Sequence, residues 1–328
     1  MFALVVVIGI ISIFVACAFA QVHHSTTLCK RGYVYLKTGE LDKAALNFAE
    51  AIRYNKLNYS AHEGLGIALY DQNHFREAIL AYTIAIHLNP KHDIDYYNRA
   101  LAFVREDNFG MAIKDYSQVI QINSTNCNYY VDRASAYLGA NRDDEAIEDC
   151  NVVIGLNKTS SEAYYYRGLA YFKQYHYNKA ISDYTSAISL NSDDGHIYRD
   201  RGAGYYYTGD WSKATNDFER AIRANPTDGL AYNEYAWLLA TCPDSMFRNG
   251  SKAVDLSLKA SDLSGWKLWI SLDTLAAAYA EAGDFTKAVK YQTQVVGMNG
   301  MSETDYTNAN HRLNLYMQHK SYQETPQP

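Results

Sequence analysis

YYYRGLAYFKQYHYNKAISDYTSAISLNS, residues 164–192, is the stretch whose reading decides the fold. Tyr164, Tyr171, Tyr184, Ile181, Ile188 and Leu190 place apolar side chains three and four apart, the spacing of a helix with one buried face. Gly168 and Ala180 stand twelve residues apart within it, and a large side chain at either place would hold two packed helix axes apart. The stretch therefore reads as two amphipathic helices that face each other.

Moved along the chain, the same pattern returns. The first small residue recurs as Gly32, Gly66, Ala100, Ala134, Gly168, Gly202 and Ala236, each 34 residues after the last. The second keeps step as Ala44, Ala78, Ala112, Ala146, Ala180 and Ala214, then drifts to Ala253 and Ala288 after an insertion. A fixed residue closes each second helix: Asn55, Asn89, Asn123, Asn157, Asn191 and Asn225, with Asn299 later. Asparagine tolerates the left-handed C-cap conformation, so these read as helix stops, and Pro90 and Pro226 reinforce two of them.

With Tyr164, Arg167, Gly168, Tyr171, Ala180 and Tyr184 in one copy, and Tyr198, Arg201, Gly202, Tyr205, Ala214, Phe218 and Pro226 in the next, the chain resembles the tetratricopeptide repeat (TPR) family. The resemblance covers residues 25–299 and implies an all-α fold, a right-handed α-solenoid of helix-turn-helix repeats. Residues 25–228 hold six gapless repeats. Residues 229–299 hold two more, with an insertion at 242–250, and this end resembles that of bacterial TPR proteins. Residues 300–320 are expected to form a capping helix that covers the last apolar face, with His311, Arg312 and His319 on its polar side. Residues 321–328 read as a disordered tail.

A second regularity emerges when the repeats are laid over one another. Arg99, Arg133, Arg167 and Arg201 replace the usual leucine, and the same repeats carry Asp115, Asp149, Asp183 and Asp217 sixteen residues on. The repeat with Leu65 has Ala81 instead. Residues that travel together in this way are expected to pair, within a repeat or between neighbours.

Before the repeats, Phe2 through Ala20 carry no charge, and Ala18-Phe19-Ala20 suits signal-peptide cleavage, whereas the absence of an early Lys or Arg and the length of the run suit a retained anchor. Residues 1–20 are thus a signal peptide or an N-terminal membrane anchor; a lipoprotein reading through Cys17 is weaker because Phe14-Val15-Ala16 is a poor lead-in. Each reading exports the repeats (to the periplasm or outside the cell) or holds them at a membrane.

The composition is 48% apolar and 20% charged, with a formal charge of −6 and no basic stripe, which argues against nucleic acid as a partner. The five cysteines form no C-x-x-C pair, and the spacing leaves open whether Cys29, Cys127, Cys150 and Cys242 form any disulfide. No metalloprotease, nucleophile-elbow, Walker or EF-hand motif is present; no catalytic residue, metal site or cofactor is expected.

What remains is the concave face, which in the TPR family is lined by the first helix of each repeat and holds an extended peptide or a partner's helix. The family's inward positions fall here on Tyr33, Tyr70, Tyr97, Asn98, Tyr165, Tyr166, Phe172, Arg199, Tyr206, Asn233 and Trp237. Cys29, Tyr33, Gly64 and Ile67 depart from the Lys and Asn clamp by which some members hold a C-terminal carboxylate. The resemblance implies a non-enzymatic scaffold that binds a protein or peptide in this groove. The alternative is a structural subunit of an envelope or membrane-associated assembly held through its convex face.

Overall fold

The computed structural model describes the backbone of residues 2–324 and the side chains of residues 16–324. Among the described residues there are helices and turns but no strand. The chain divides into two compact units, Met1–Leu156 and Asn157–Pro328, so the boundary falls inside the expected run of six gapless repeats.

The first unit pairs α1 (Phe2–Lys37) with α2 (Leu41–Tyr54), α3 (Tyr59–Asp71) with α4 (Phe75–Leu88), α5 (Asp93–Arg105) with α6 (Phe109–Ile122), and α7 (Cys127–Gly139) with α8 (Asp143–Leu156). The second pairs α9 (Ser161–Lys173) with α10 (Tyr177–Leu190), α11 (Gly195–Tyr207) with α12 (Trp211–Ala224), α13 (Gly229–Thr241) with α14 (Gly250–Leu263), and α15 (Trp269–Glu281) with α16 (Phe285–Val296). A final helix, α17 (Glu303–Met317), packs on α16.

The recurring small residues have one consistent neighbour. A methyl group added at Gly32, Gly66, Gly168 or Gly202 would come within 2.7, 2.6, 2.6 and 2.9 Å of Phe48, Tyr82, Tyr184 and Phe218 respectively, each the aromatic sixteen residues on. The first helix of a pair thus gives up its side chain to make room for a ring from the second. Those rings are among the largest fully buried side chains.

The asparagine stops act differently from the sequence reading. Asn55, Asn89, Asn123, Asn191 and Asn225 are extended, with φ between −145° and −134°, and none is left-handed. Asn55, Asn123, Asn157, Asn191 and Asn225 accept a hydrogen bond through Oδ1 from the backbone N–H two residues on. This side-chain turn ends the helix by turning the chain. The left-handed residue sits instead at the turn inside each of the first six pairs: Gly39, Asn73, Asp107, Asn141, Tyr175 and Gly209, all with φ between 54° and 78°. Glycine, asparagine and aspartate suit that region, whereas an aromatic strains it. Tyr175 is 74% exposed, so its ring packs little in return. Tyr175→Asn should therefore stabilise the chain by about 1 kcal/mol, read as a shift in urea midpoint.

All four expected ion pairs form, each within its own repeat. Arg99, Arg133, Arg167 and Arg201 grip both carboxylate oxygens of Asp115, Asp149, Asp183 and Asp217 through Nε and Nη2 at 2.7–2.9 Å. The remaining Nη1 of three of them reaches back to the second helix of the preceding repeat: Arg99 to Thr83 at 3.0 Å, Arg133 to Ser117 at 2.9 Å and Arg201 to Thr185 at 3.1 Å. Where the arginine slot becomes Tyr235, its hydroxyl donates to Glu219, the counterpart of those hydroxyl residues.

The insertion is a compact corner. A single 3₁₀ turn, Ser245–Phe247, leads to Arg248, which donates to Glu281 and to the carbonyls of Cys242 and Pro243. Asn249 then caps α14. No disulfide links the described cysteines; Cys29, Cys150 and Cys242 are buried, with Cys150 in a slot that other repeats fill with a ring.

Two terminal expectations change. Arg312 is not on the polar side of α17: it is 7% exposed and donates through Nε to Asp273 at 3.0 Å, beside Gln292, which donates to the same carboxylate at 2.7 Å. Residues 321–324, expected to be disordered, pack against α13: the backbone N–H of Glu324 donates to Thr241 O at 2.9 Å. Residues 325–328 lie outside the described part. At the other end, the backbone of α1 is one helix from the apolar segment into the first repeat, although that segment was expected to be separate from it. Among the described residues no helix is long and apolar enough to cross a membrane; most of the leader, residues 1–15, lies outside those whose side chains are described.

Candidate functional site

The expected groove residues divide between the two units. In the first, several are used to join neighbouring first helices. Tyr33 stands edge-on to Phe48 and donates to Ser60 O and Glu63 Oε2, both at 2.9 Å. Tyr97 packs on Tyr116 and Tyr129 and donates to Asp132 at 2.9 Å. Tyr70 and Asn98 line a depression of about 190 Å³ with Ile67, Tyr82 and Leu101.

The first unit also holds a cluster that the sequence did not announce. Glu63, His92 and Asp95 each offer a ligand atom, all within 4.8 Å of one another. Tyr59 bridges the last two, its hydroxyl 2.6 Å from His92 Nδ1 and donating to Asp95 at 2.8 Å. Burial raises the Asp95 carboxyl above its usual range, with Tyr59 opposing. Tyr33 and Tyr59 bond these carboxylates directly, which accounts for the geometry as a tyrosine-acid network.

In the second unit Tyr165 follows the same rule, its ring on Tyr184 and its hydroxyl on Asp200 at 2.8 Å; Tyr166 lies against it. Arg199 bridges two acids, with Asp200 at 2.8 Å and Asp228 at 2.9 Å. Burial works against its charge, but Asp200, Glu234 and Asp228 outweigh that and leave its pKa raised.

The other residues named for this unit converge. Phe172, Tyr206, Asn233 and Trp237 line one cavity of about 410 Å³, with α15 adding Trp269 and Asp273, and α17 adding Asp305 and Arg312. Its walls carry two acceptors without partners, Asn233 Oδ1 and Glu234 Oε2, both shut off from solvent. Such atoms are costly to leave unpaired. Burial, with Asp200 close by, pushes the Glu234 carboxyl up to about 8, with Arg199 opposing. Trp237 Nε1 donates to Glu324 at 2.7 Å, and Tyr206 donates to the same oxygen. Arg312 lies 5.5 Å from the Trp237 ring and 5.4 Å from that of Tyr322.

Glu234, Asp273, Arg312 and Glu324 were missed as site residues. For Glu234 a signal existed. The register position just after Tyr97, Val131, Tyr165, Arg199 and Asn233 carries Asn98, Asp132, Tyr166, Asp200 and Glu234, so an acid recurs in that column in three of the five repeats. Arg312 and Glu324 lie beyond the last repeat, where the period gives no register.

The raised Glu234 pKa has a consequence for stability. A carboxyl whose folded pKa lies above its unfolded value binds its proton more tightly when folded, so the stabilisation is full below about pH 4.5 and is lost as pH rises through about 8. Glu234→Gln, which cannot ionise, should gain roughly 3 kcal/mol relative to wild type between pH 5 and pH 8. Urea denaturation at the two pH values checks this; an equal difference at both would mean that Glu234 titrates normally.

Comparison with known proteins agrees with this architecture. Family models described as tetratricopeptide repeat match residues 29–92, 65–126, 161–194 and 195–228. No curated protein matches the chain in sequence. Among solved structures, a tetratricopeptide repeat protein from Parabacteroides merdae superposes with a TM-score of 0.58 at 17% identity, covering 90% of this chain and 99% of its own. Pseudomonas aeruginosa pilF gives 0.53 at 14% identity, over 66% of this chain and 98% of its own. YrrB, described as a TPR protein with an unusual peptide-binding site, gives 0.47 at 18% identity, over 57% and 96%. Family models coincide with the sequence period and the helix pairs over residues 29–126 and 161–228, half of the chain, and the chain belongs to the tetratricopeptide repeat family.

Proposed function

We propose that this protein is a non-enzymatic scaffold that binds a peptide or a segment of a partner protein at the first-helix face of its second unit. The tetratricopeptide fold is typically a non-catalytic interaction scaffold, and its members bind protein or peptide partners. The observation that carries the reading is the cavity lined by Phe172, Tyr206, Asn233 and Trp237, an aromatic surface edged by the polar groups of Asp305, Asn308 and Arg312. Aromatic walls supply contact area at low entropic cost, and the polar groups at their edge suit the main chain of an extended peptide.

Tyr33, Tyr97 and Tyr165 are better read as braces between repeats, because their hydroxyls are spent on neighbouring helices. The apolar run Phe2 through Ala20 supports export of the repeats by a signal peptide or their retention at a membrane by an anchor.

Crosslinking and affinity capture from native cells tests the site, comparing wild type with a Phe172→Ala, Trp237→Ala double variant of equal helicity. Proteins lost from the variant's capture support the reading. An unchanged set refutes it and moves attention to the convex face and the corner at 242–250.

A further inference from the structure

Residues 322–324 lie on the face just described, and their contacts read as those of a bound peptide. Tyr322 packs on Trp237, with ring centroids 6.0 Å apart, and meets the Arg312 guanidinium on its other contact. The side chain of Gln323 is exposed. Glu324 then returns to the protein: its carboxylate accepts from Tyr206 and Trp237, and its backbone N–H donates to Thr241 O, one of the last carbonyls of α13. Carbonyls at a helix end have no partner within the helix, so the main-chain bond satisfies an orphan acceptor without reference to side-chain identity. Selectivity then rests on two side chains, an aromatic ring and, two residues later, a carboxylate met by two converging donors. Three residues with few contacts form a small interface, which a competitor can displace.

We propose that this face recognises an extended peptide in which an aromatic residue stands two places before a glutamate or aspartate, and that residues 322–324 occupy the site until such a peptide displaces them. The proposal rests on the peptide-scaffold reading above and adds the chemistry of the ligand. The tether makes the internal segment a strong competitor. A short flexible tether gives an effective concentration of about 1 mM, so a free peptide that binds with a Kd of about 100 μM should be weakened roughly tenfold by the occupied site.

The probe is a fluorescein-labelled peptide of sequence KSYQET, residues 320–325, titrated by fluorescence anisotropy against the full-length chain. A Tyr322→Ala, Glu324→Ala double variant, in which the internal segment is released, should bind it about tenfold tighter than wild type. Replacing the peptide's glutamate by glutamine should weaken binding to the released variant about tenfold, as loss of a charge-assisted bond does. Adding Trp237→Phe to the released variant, which keeps a ring but removes the N–H, should weaken it to a similar degree. Equal affinity for wild type and released variant overturns the proposal, as does a glutamine peptide that binds undiminished or an absence of binding up to about 1 mM peptide. If the peptide fails while native partners are still lost from the Phe172→Ala, Trp237→Ala capture, only the ligand chemistry is wrong. If that capture is also unchanged, the scaffold reading falls with it.

Discussion

Asp217→Ala should destabilise the protein by about 3–5 kcal/mol, because it strips both carboxylate oxygens from Arg201 and leaves a largely buried charge with only the Thr185 hydroxyl to meet it. The carboxylate is 1% exposed and the guanidinium 13% exposed. Both oxygens are in use at 2.7 and 2.9 Å. Burial opposes the charge on Arg201 while Asp217 restores it, and its pKa remains raised. The double variant Arg201→Met, Asp217→Leu should recover most of the loss, since a well-packed apolar pair often equals a buried ion pair in stability. Urea denaturation followed by circular dichroism reads both. A loss under about 1 kcal/mol for Asp217→Ala would mean that water reaches the arginine in its place.

Phe48→Ala should cost about 3–5 kcal/mol through the cavity it opens. The ring is 0% exposed and fills the space left by two glycines, since a methyl at Gly32 would lie 2.7 Å from it and one at Gly64 2.4 Å. Those glycines cannot close the gap, because neither has a side chain to move. Gly64→Ala alone should also destabilise, by overpacking. Combined with Phe48→Leu it should cost less than the two losses added together, because the changes share one space. The same denaturation series gives the answer, and strict additivity would show that ring and glycine do not share that space.

Much of this was legible because a repeat provides its own comparison. One arginine followed by an aspartate means little, whereas Arg99, Arg133, Arg167 and Arg201 matched to Asp115, Asp149, Asp183 and Asp217 specify a contact, and each pair forms. The left-handed turn was visible in the same columns as Gly39, Asn73, Asp107, Asn141 and Gly209, yet the more uniform asparagines at 55, 89 and 123 drew that reading to themselves. Constancy marked a place without stating its mechanism. The candidate site was less readable. Spacing assigns a residue to the inner face but does not say whether its hydroxyl is spent, as in Tyr165, or whether it borders open space, as in Trp237. Arg312 and Glu324 complete the site from beyond the last repeat, and their placement depends on how the chain turns back after Met317.

The backward reach of Arg99, Arg133 and Arg201 to Thr83, Ser117 and Thr185 changes what kind of material each unit is. In a repeat stack the end modules peel away when the bond between neighbours is weak beside the bonds within each module. Here the same guanidinium serves both, so a module that detaches disturbs the clasp inside the one it leaves. Under mechanical load the links should hold together and then yield together, as a stiff spring does, instead of paying out one repeat at a time.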